Sequence, residues 1–427
     1  MTRCSFFFAL CPFLEDSVTV LSPASWGARG WCRLERTMRE LSEGSWILIK
    51  SAERLELVVG SRALNFPTGK GEFAVATDKV KLGPILEAAL KGKMRQALRK
   101  SDLVTYRVVR NLQSVYLKGL PAQLELDLVP GFISSADHTA SIVEHFLYQN
   151  GFRSIHEVDI AGFMPLHYAA LGGEAQLIKA MLEERADPTS TTRKGQPMLG
   201  TPRVSALGLA LGCGHNDVAR LLIEAKAQVQ EHGTLAPALL MAVPNNVEGM
   251  RLLTEARCDP TREKHFFGFS AASNACFTSS LAAFDELLCR GIHLSTLLHF
   301  SAISREGGAQ ITRRLIELRA DIDEQWQVQW LTPLGGLIAF LSLRYVCGRD
   351  TAATRQFYTL PGSTPLMLAL LSGNYETATI LLREGARLDL RNDRQVTAAD
   401  LAQGAPEFLQ EILRGDSVYC RVWLLFV

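Results

Sequence analysis

The sequence predicts a mainly α-helical solenoid of stacked repeats, preceded by a small, incomplete α/β segment. Two segments, one beginning at Pro165 and one at Pro365, share a proline-started helix, a glycine turn and a second helix. Weaker copies lead in seven steps from Pro165 to Ala398, a mean spacing of about 33 residues that is typical of helical repeat arrays. Apolar strands alternate with a helix in the first 60 residues, which indicates a parallel sheet.

Composition sets the outer limits on structure and function. The chain has 427 residues, of which 47% are hydrophobic and 21% charged, so it is not mostly disordered and has the length of two to four domains. Lysine and arginine number 45 and aspartate and glutamate 44, a net charge of +1. This balance excludes a global field that would attract nucleic acid.

Cysteine usage predicts a reducing compartment. The nine cysteines are scattered, odd in number and contain no C-x-x-C pair, so we expect no disulfide framework and no structural zinc. The expected location is therefore intracellular, in the cytoplasm. The apolar run from Phe6 to Leu10 imitates a signal peptide, but Glu15 and Asp16 follow at once, and a buried strand is the favoured interpretation.

Each repeat unit has a simple physical logic. Pro165 at a first helical position costs no hydrogen bond and presets φ, and Gly172 and Gly173 allow the turn that ends the helix. The second helix carries an apolar stripe at residues 177, 178, 181 and 182. One unit cannot bury that stripe alone, so stacking is required.

The segment Pro165-Leu166-His167-Tyr168-Ala169-Ala170 resembles the ankyrin repeat, whose usual signature is T-P-L-H-x-A-A. The resemblance extends over about residues 159–413. Copies aligned on Pro165 are placed at Ala206, Pro237, Ala271, His299, Pro333, Pro365 and Ala398. It implies an array that binds a protein partner through its concave face and loop tips.

The sequence departs from that pattern in several places. Met164 stands where threonine is usual, which removes the side-chain pairing expected around His167. The 41-residue interval after Pro165 predicts an insertion at about 193–203. The copy at Pro333 has no clear second helix after Arg349.

The first 60 residues carry a second resemblance. A strand at Phe6–Leu10, a helix opened by Trp31-Cys32-Arg33-Leu34-Glu35 and a strand at Trp46–Ile49 look like the C-terminal half of a Toll/interleukin-receptor (TIR) domain. In family members that hydrolyse NAD, the glutamate of this motif is catalytic, and it corresponds to Glu35. A solvated carboxylate on a helix surface is the more ordinary role for such a residue.

Residues 61–140 are predicted to be a basic helical connector. Between Lys79 and Lys118 there are ten lysines and arginines and two acidic residues. Pro84 predicts a helix start, and apolar residues at 86, 90, 94 and 98 form a stripe on that helix. We favour a solvated basic face with a packed stripe. Contact with anionic lipid, nucleic acid or an acidic partner is the alternative, expected to be weak and not sequence-specific.

These observations give four segments and one favoured function. The segments are 1–60 (α/β, TIR-like), 61–140 (connector), 141–415 (repeat array) and 416–427, an apolar tail too short to span a bilayer. No H-E-x-x-H, G-x-S-x-G or Rossmann glycine motif occurs, so we expect no metal and no cofactor. We predict a non-catalytic scaffold or adaptor, with partner-binding candidates at Tyr168, Asp187, Asp259 and Asp321. The alternatives are a TIR-like NAD hydrolase using Glu35, regulated by the array, and a peripheral membrane adaptor using residues 79–118.

Overall fold

The computed structural model describes ten stretches of the chain and confirms the predicted mainly α-helical class. They are residues 7–15, 20–42, 46–50, 55–58, 64–124, 127–133, 138–195, 202–231, 234–304 and 307–414. The apolar tail 416–427 and the middle of the predicted insertion, 196–201, lie outside them. No helix in these stretches is both long and apolar enough to cross a membrane.

Five short strands form two small sheets. They are β1 (Phe8–Leu10), β2 (Leu14–Glu15), β3 (Val20–Leu21), β4 (Trp46–Ile49) and β5 (Leu55–Val58). Strand β1 pairs in parallel with β4, with Phe8 opposite Ile47, and β5 lies on the other side of β4. The parallel pairing is the one that the alternation of strands and helix predicts. Strands β2 and β3 pair antiparallel.

Six helices precede the repeats. They are α1 (Pro23–Ala28), α2 (Gly30–Leu41), α3 (Asp78–Arg99), α4 (Leu103–Asn111), α5 (Gln113–Tyr116) and α6 (His138–Asn150). Helix α3 begins six residues before Pro84, so the prediction of a start at Pro84 is wrong. Packing outweighs the proline there, because Leu82 is fully buried and a Cβ at Gly83 would lie 2.3 Å from the Pro121 carbonyl oxygen.

Fourteen helices follow as seven consecutive pairs, with one more helix after them. They are α7 (Pro165–Gly172), α8 (Ala175–Glu183), α9 (Ala206–Cys213), α10 (Asn216–Glu224), α11 (Ala238–Ala242), α12 (Val247–Glu255), α13 (Ala271–Phe277), α14 (Leu281–Leu288), α15 (Leu297–Ala302), α16 (Ala309–Glu317), α17 (Pro333–Val346), α18 (Ala352–Thr359), α19 (Pro365–Ser372), α20 (Tyr375–Arg383) and α21 (Glu407–Arg414). Six predicted first-helix starts, at residues 165, 206, 237, 271, 333 and 365, agree with this set to within one residue. The start placed at His299 lies two residues earlier, at Leu297.

The chain forms two compact units, and each draws on separate parts of the sequence. The first comprises Met1–Phe7, Gly27–Trp46 and Val58–His265, and the second comprises Phe8–Trp26, Ile47–Leu57 and Phe266–Val427. The TIR-like helix α2 thus belongs to the first unit, while strands β1 and β5 belong to the second. In the first unit α4 and α5 pack on α7, and in the second α13 packs on α15.

The helix pair α17–α18 is not part of the stack. Helix α15 packs directly on α19 and α16 on α20, while α17 and α18 pack mainly on each other. The base of this hairpin is closed where the Trp326 N–H donates to the Ser363 carbonyl at 3.0 Å and the Gly362 N–H donates to the Trp326 carbonyl at 2.9 Å. A second helix does follow Arg349, contrary to expectation. The copy at Pro333 is therefore an inserted hairpin about one repeat long.

Candidate functional site

The three predicted loop aspartates close their own loops. Both the N–H and the hydroxyl of Thr189 donate to Asp187 Oδ1, at 2.8 and 2.7 Å, and Thr261 does the same to Asp259 at 2.9 and 2.7 Å. At Asp321 the donor is the N–H of Asp323, at 3.0 Å. Asp187 and Asp321 are exposed and Asp259 is half-buried. Each carboxylate thus fixes a local turn and keeps part of its surface open to solvent.

The loops after α8 and after α20 present their side chains in the same order. From residue 187 to 195 and from 387 to 395, exposed residues alternate with less exposed ones, one buried residue follows, and three exposed residues end each run. The exposed ends are Arg193–Gly195 and Asp393–Gln395, which were not among the sequence candidates. Their position just before each proline-started helix is the signal that could have identified them.

His167 holds the first of these loops against its helix. Its Nδ1 accepts the Met164 N–H at 3.0 Å, so Nε2 carries the proton and donates to the Ser190 carbonyl at 3.1 Å. The backbone of Met164 thus replaces the side-chain partner that the missing threonine would have supplied. Burial lowers the pKa of His167 to about 4.

Tyr168 lies in the core and not on a binding surface. Its side chain is 0% exposed, and its hydroxyl donates to Asp159 Oδ2 at 2.7 Å. Burial raises the pKa of Tyr168, and Asp159 raises it further. The side chain that the repeat signature leaves variable is here used for packing, so the structure offers no surface of Tyr168 to a partner.

The family model of the ankyrin repeat matches residues 161–193 and 361–393. These are the two segments whose loops share one exposure pattern. The chain contains ankyrin repeats. The resemblance stated from Pro165-Leu166-His167 is therefore confirmed, whereas the TIR resemblance of the first 60 residues stays a prediction.

Two known proteins illustrate the similarity. An ankyrin repeat protein of Neisseria meningitidis serogroup B is 34% identical over 97 residues, which make up 20% of this chain and 35% of that protein. The chain therefore spans about a third of the length of this relative. The crystal structure of the human ASB11 ankyrin repeat domain is 20% identical, with a TM-score of 0.33, and the match covers 66% of this chain and 97% of that one.

Glu35 lies on α2, outside the ankyrin repeats. Its side chain is half-buried, and burial raises its pKa. Burial also raises the pKa of Cys32, one turn earlier, and the charge of Glu35 adds to that shift. Glu35 does not line either of the two cavities described below. No three His, Cys, Asp or Glu side chains are grouped as a metal site would require within the described stretches.

The basic connector buries its apolar stripe as predicted. Leu86, Leu90 and Met94 are buried, whereas Arg95 and Arg99 are exposed. One basic residue departs from this picture, because Lys93 is buried among the apolar side chains. Contact of the exposed basic face with polyanions stays a prediction.

Two cavities lie beside ankyrin repeats. In the first unit a groove of about 740 Å³ is bounded by α4, α6 and the α7–α8 turn, and its lining includes Arg110, Asp127, His145 and Glu174. These groups have both signs of charge, so the groove does not favour an anion or a cation. In the second unit a cavity of about 20 Å³, about the room that one water needs, lies next to Lys50.

Two buried glutamates stand one repeat apart in the first unit and escaped sequence reasoning. The Glu231 N–H donates to Glu263 Oε1 at 3.0 Å, and Glu231 Oε2 accepts the Ala238 N–H at 2.8 Å. Burial raises the pKa of Glu231 to about 6, and the charge of Glu263 acts in the same direction. The carboxylate of one loop thus organises the backbone of the next.

Proposed function

We propose that this chain is a non-catalytic protein-interaction scaffold that binds its partner through the loop tips of its ankyrin repeats. The observation that carries the proposal is the shared exposure of residues 187–195 and 387–395. Side chains that recur at the same loop positions and take little part in packing can vary without cost to the fold. The first helices α7 and α19 are by contrast almost entirely buried.

The binding surface that we propose includes Asp187, Asp259 and Asp321, together with the exposed residues 193–195 that follow Asp187. Tyr168 is left out because it is fully buried. We propose further that the scaffold works in a reducing intracellular compartment. The seven cysteines in the described stretches are all free, which supports this location.

The test uses full-length chains with matched charge reversals. Each loop aspartate follows an exposed glutamate by four residues: Glu183 precedes Asp187, Glu255 precedes Asp259, and Glu317 precedes Asp321. One variant reverses the three aspartates to lysine, and the control reverses the three glutamates. Partners captured by the wild-type chain from native lysate are identified, and the strongest is purified for affinity measurement.

The proposal expects the aspartate triple variant to lose the partner while the glutamate triple variant keeps it. Both variants change the net charge equally, so a loss in both would indicate a general electrostatic effect. Retention by the aspartate variant would place the binding surface elsewhere.

A further inference from the structure

The α17–α18 hairpin leaves one helix face uncovered by the described residues. Because α15 and α19 stack directly, α17 has no repeat on either side to cover it. Only Gly335, Ile338 and Ser342 of its 14 residues are buried. An ordinary first helix, such as α19, has six buried residues out of eight.

The exposed face of α17 is apolar. Phe340, Leu343 and Val346 are 56%, 62% and 68% exposed, and Gly336 and Ala339 share their side of the helix. Single exposed apolar residues are ordinary, but a contiguous stripe of them marks a site of interaction. We call these five residues the α17 face.

The charges beside the α17 face are all positive. From Gln325 to Arg349 the sequence has no acidic residue, and Arg344 and Arg349 are its two cations. The next carboxylate, Asp350, is held by both Nε and Nη2 of Arg355, at 3.1 and 2.7 Å. Among the described residues neither Arg344 nor Arg349 has an ion-pair partner. Arg344 instead lies over the Phe340 ring, 5.7 Å from its centroid.

We propose that the α17 face docks an amphipathic helix of a partner protein whose apolar stripe is flanked by acidic residues. Apolar stripes of two helices bury each other when they pack along their length. Acidic flanks would meet Arg344 and Arg349 and set the orientation of the incoming helix. This surface is separate from the loop tips, so the two proposals can fail independently.

Charge argues against a second copy of this chain as the occupant. Pairing of two α17 faces would add the cations of both chains to one interface with no carboxylate between residues 325 and 349 to compensate. Like charges brought together disfavour the wrong partner.

The experiment measures fluorescence anisotropy with a labelled synthetic helical peptide. The probe carries leucines at i, i+3, i+4 and i+7 with glutamates on both flanks, and a second peptide has lysines in place of the glutamates. Full-length protein is compared with Leu343→Ser, Arg344→Glu and the control Val80→Ser. Val80 matches Leu343 in its 62% exposure but lies on α3 in the first unit. Circular dichroism checks that each variant is folded.

The proposal expects the glutamate peptide to bind and the lysine peptide not to bind. Leu343→Ser should weaken binding about tenfold, the scale of one buried leucine side chain, and Val80→Ser should not change it. Arg344→Glu should weaken the glutamate peptide and favour the lysine peptide.

Four results would overturn the proposal. They are no binding of either peptide, equal binding of both, equal effects of Leu343→Ser and Val80→Ser, and self-association that Leu343→Ser abolishes in the absence of peptide binding. Binding only in a full-length variant with aspartates at Leu424 and Leu425 would name the chain's own apolar tail as the occupant. That result would also overturn a partner helix.

Discussion

Asp159 shows how much of the first ankyrin repeat depends on one carboxylate. Its Oδ1 accepts the N–H groups of Ala161 and Phe163, both at 2.9 Å, and its Oδ2 accepts the Tyr168 hydroxyl. The same Oδ2 lies 3.2 Å from Nη1 of Arg107, and both side chains of this ion pair are buried. Arg107 also stacks over Phe152, 3.7 Å from its centroid. A connector helix is thus fixed to the repeat by a buried, fully bonded charge.

We expect Asp159→Ala to lower the free energy of unfolding by about 3–5 kcal/mol, because it strands a buried guanidinium. Urea denaturation measures the change. Asp187→Ala is the matched control, since it also removes a carboxylate that accepts loop hydrogen bonds, but an exposed one. Its cost should be about 0.5–1.5 kcal/mol. Equal costs would contradict the role assigned to the buried pair.

Glu231 predicts a pH dependence of stability with a defined sign. Its pKa is about 6 when folded, against an ordinary value of 4.5, so the folded state binds more protons between these two values. Stability from this group is therefore highest below pH 4.5 and falls as the pH rises to about 6. We expect Glu231→Gln to stabilise the chain by up to about 2 kcal/mol above pH 6.5. The gain should vanish near pH 4.5, as thermal melts across this range would show. A gain that does not depend on pH would exclude a titrating carboxylate.

The regular repeats were predictable at the scale of helices because their stop and start signals are local. Pro165 and Pro365 begin helices, and Gly173 ends one with a φ of +81°, where a Cβ would clash with the His215 ring. The hairpin at Pro333 was not predictable, because a 33-residue spacing counts residues and does not show which helix buries its apolar face.

The candidate site divided in the same way. Aspartates in loops are exposed because loops are, so Asp187 and Asp321 could be found from the sequence. The burial of Tyr168 depends on Arg107 and Asp159, which lie 52 residues apart and have no common local signal. Leu182, expected in the buried stripe, is half-buried, whereas Met181 is fully buried.

We expect the α17–α18 hairpin to be dispensable for the stack. An Asn-Gly link in place of residues 328–360 can join the hydrogen-bonded ends at Trp326 and Gly362. Thermal unfolding of this variant should remain cooperative with a midpoint near that of the full chain. Leu366→Ala, at a buried position of α19, should by contrast cost about 2–5 kcal/mol. Collapse of the shortened chain would mean that the hairpin supports the repeats.

On the scale of the whole molecule, the second unit joins early and late parts of the sequence. Lys50, next to β4, is buried and donates through Nζ to the Ser372 carbonyl at the end of α19, at 2.9 Å. A Cβ at Gly307 would lie 2.6 Å from that of Ala24, so α1 packs closely on the loop before α16. The early strands are therefore structural parts of the ankyrin unit.

We expect Lys50→Ala to destabilise the second unit by about 1–3 kcal/mol, because a buried carbonyl loses a charged donor. Hydrogen exchange at residues 373–376 should rise first. Lys81→Ala, which removes an exposed ion pair with Asp78, is the control and should change stability by less than about 1 kcal/mol. Unchanged exchange at 373–376 in Lys50→Ala would show that the early segment does not hold this turn.

The ring stack between Phe13 and Phe408, with centroids 6.0 Å apart, has a consequence for biosynthesis. Phe13 leaves the ribosome 395 residues before its partner is made, a wait of roughly 20–80 s at common elongation rates of about 5–20 residues per second. During that time the apolar strand around Phe8 has no late helices to cover it. A chain that folds from its start would here keep its first strand waiting for its last repeat, which makes nascent-chain chaperones a natural requirement for its synthesis.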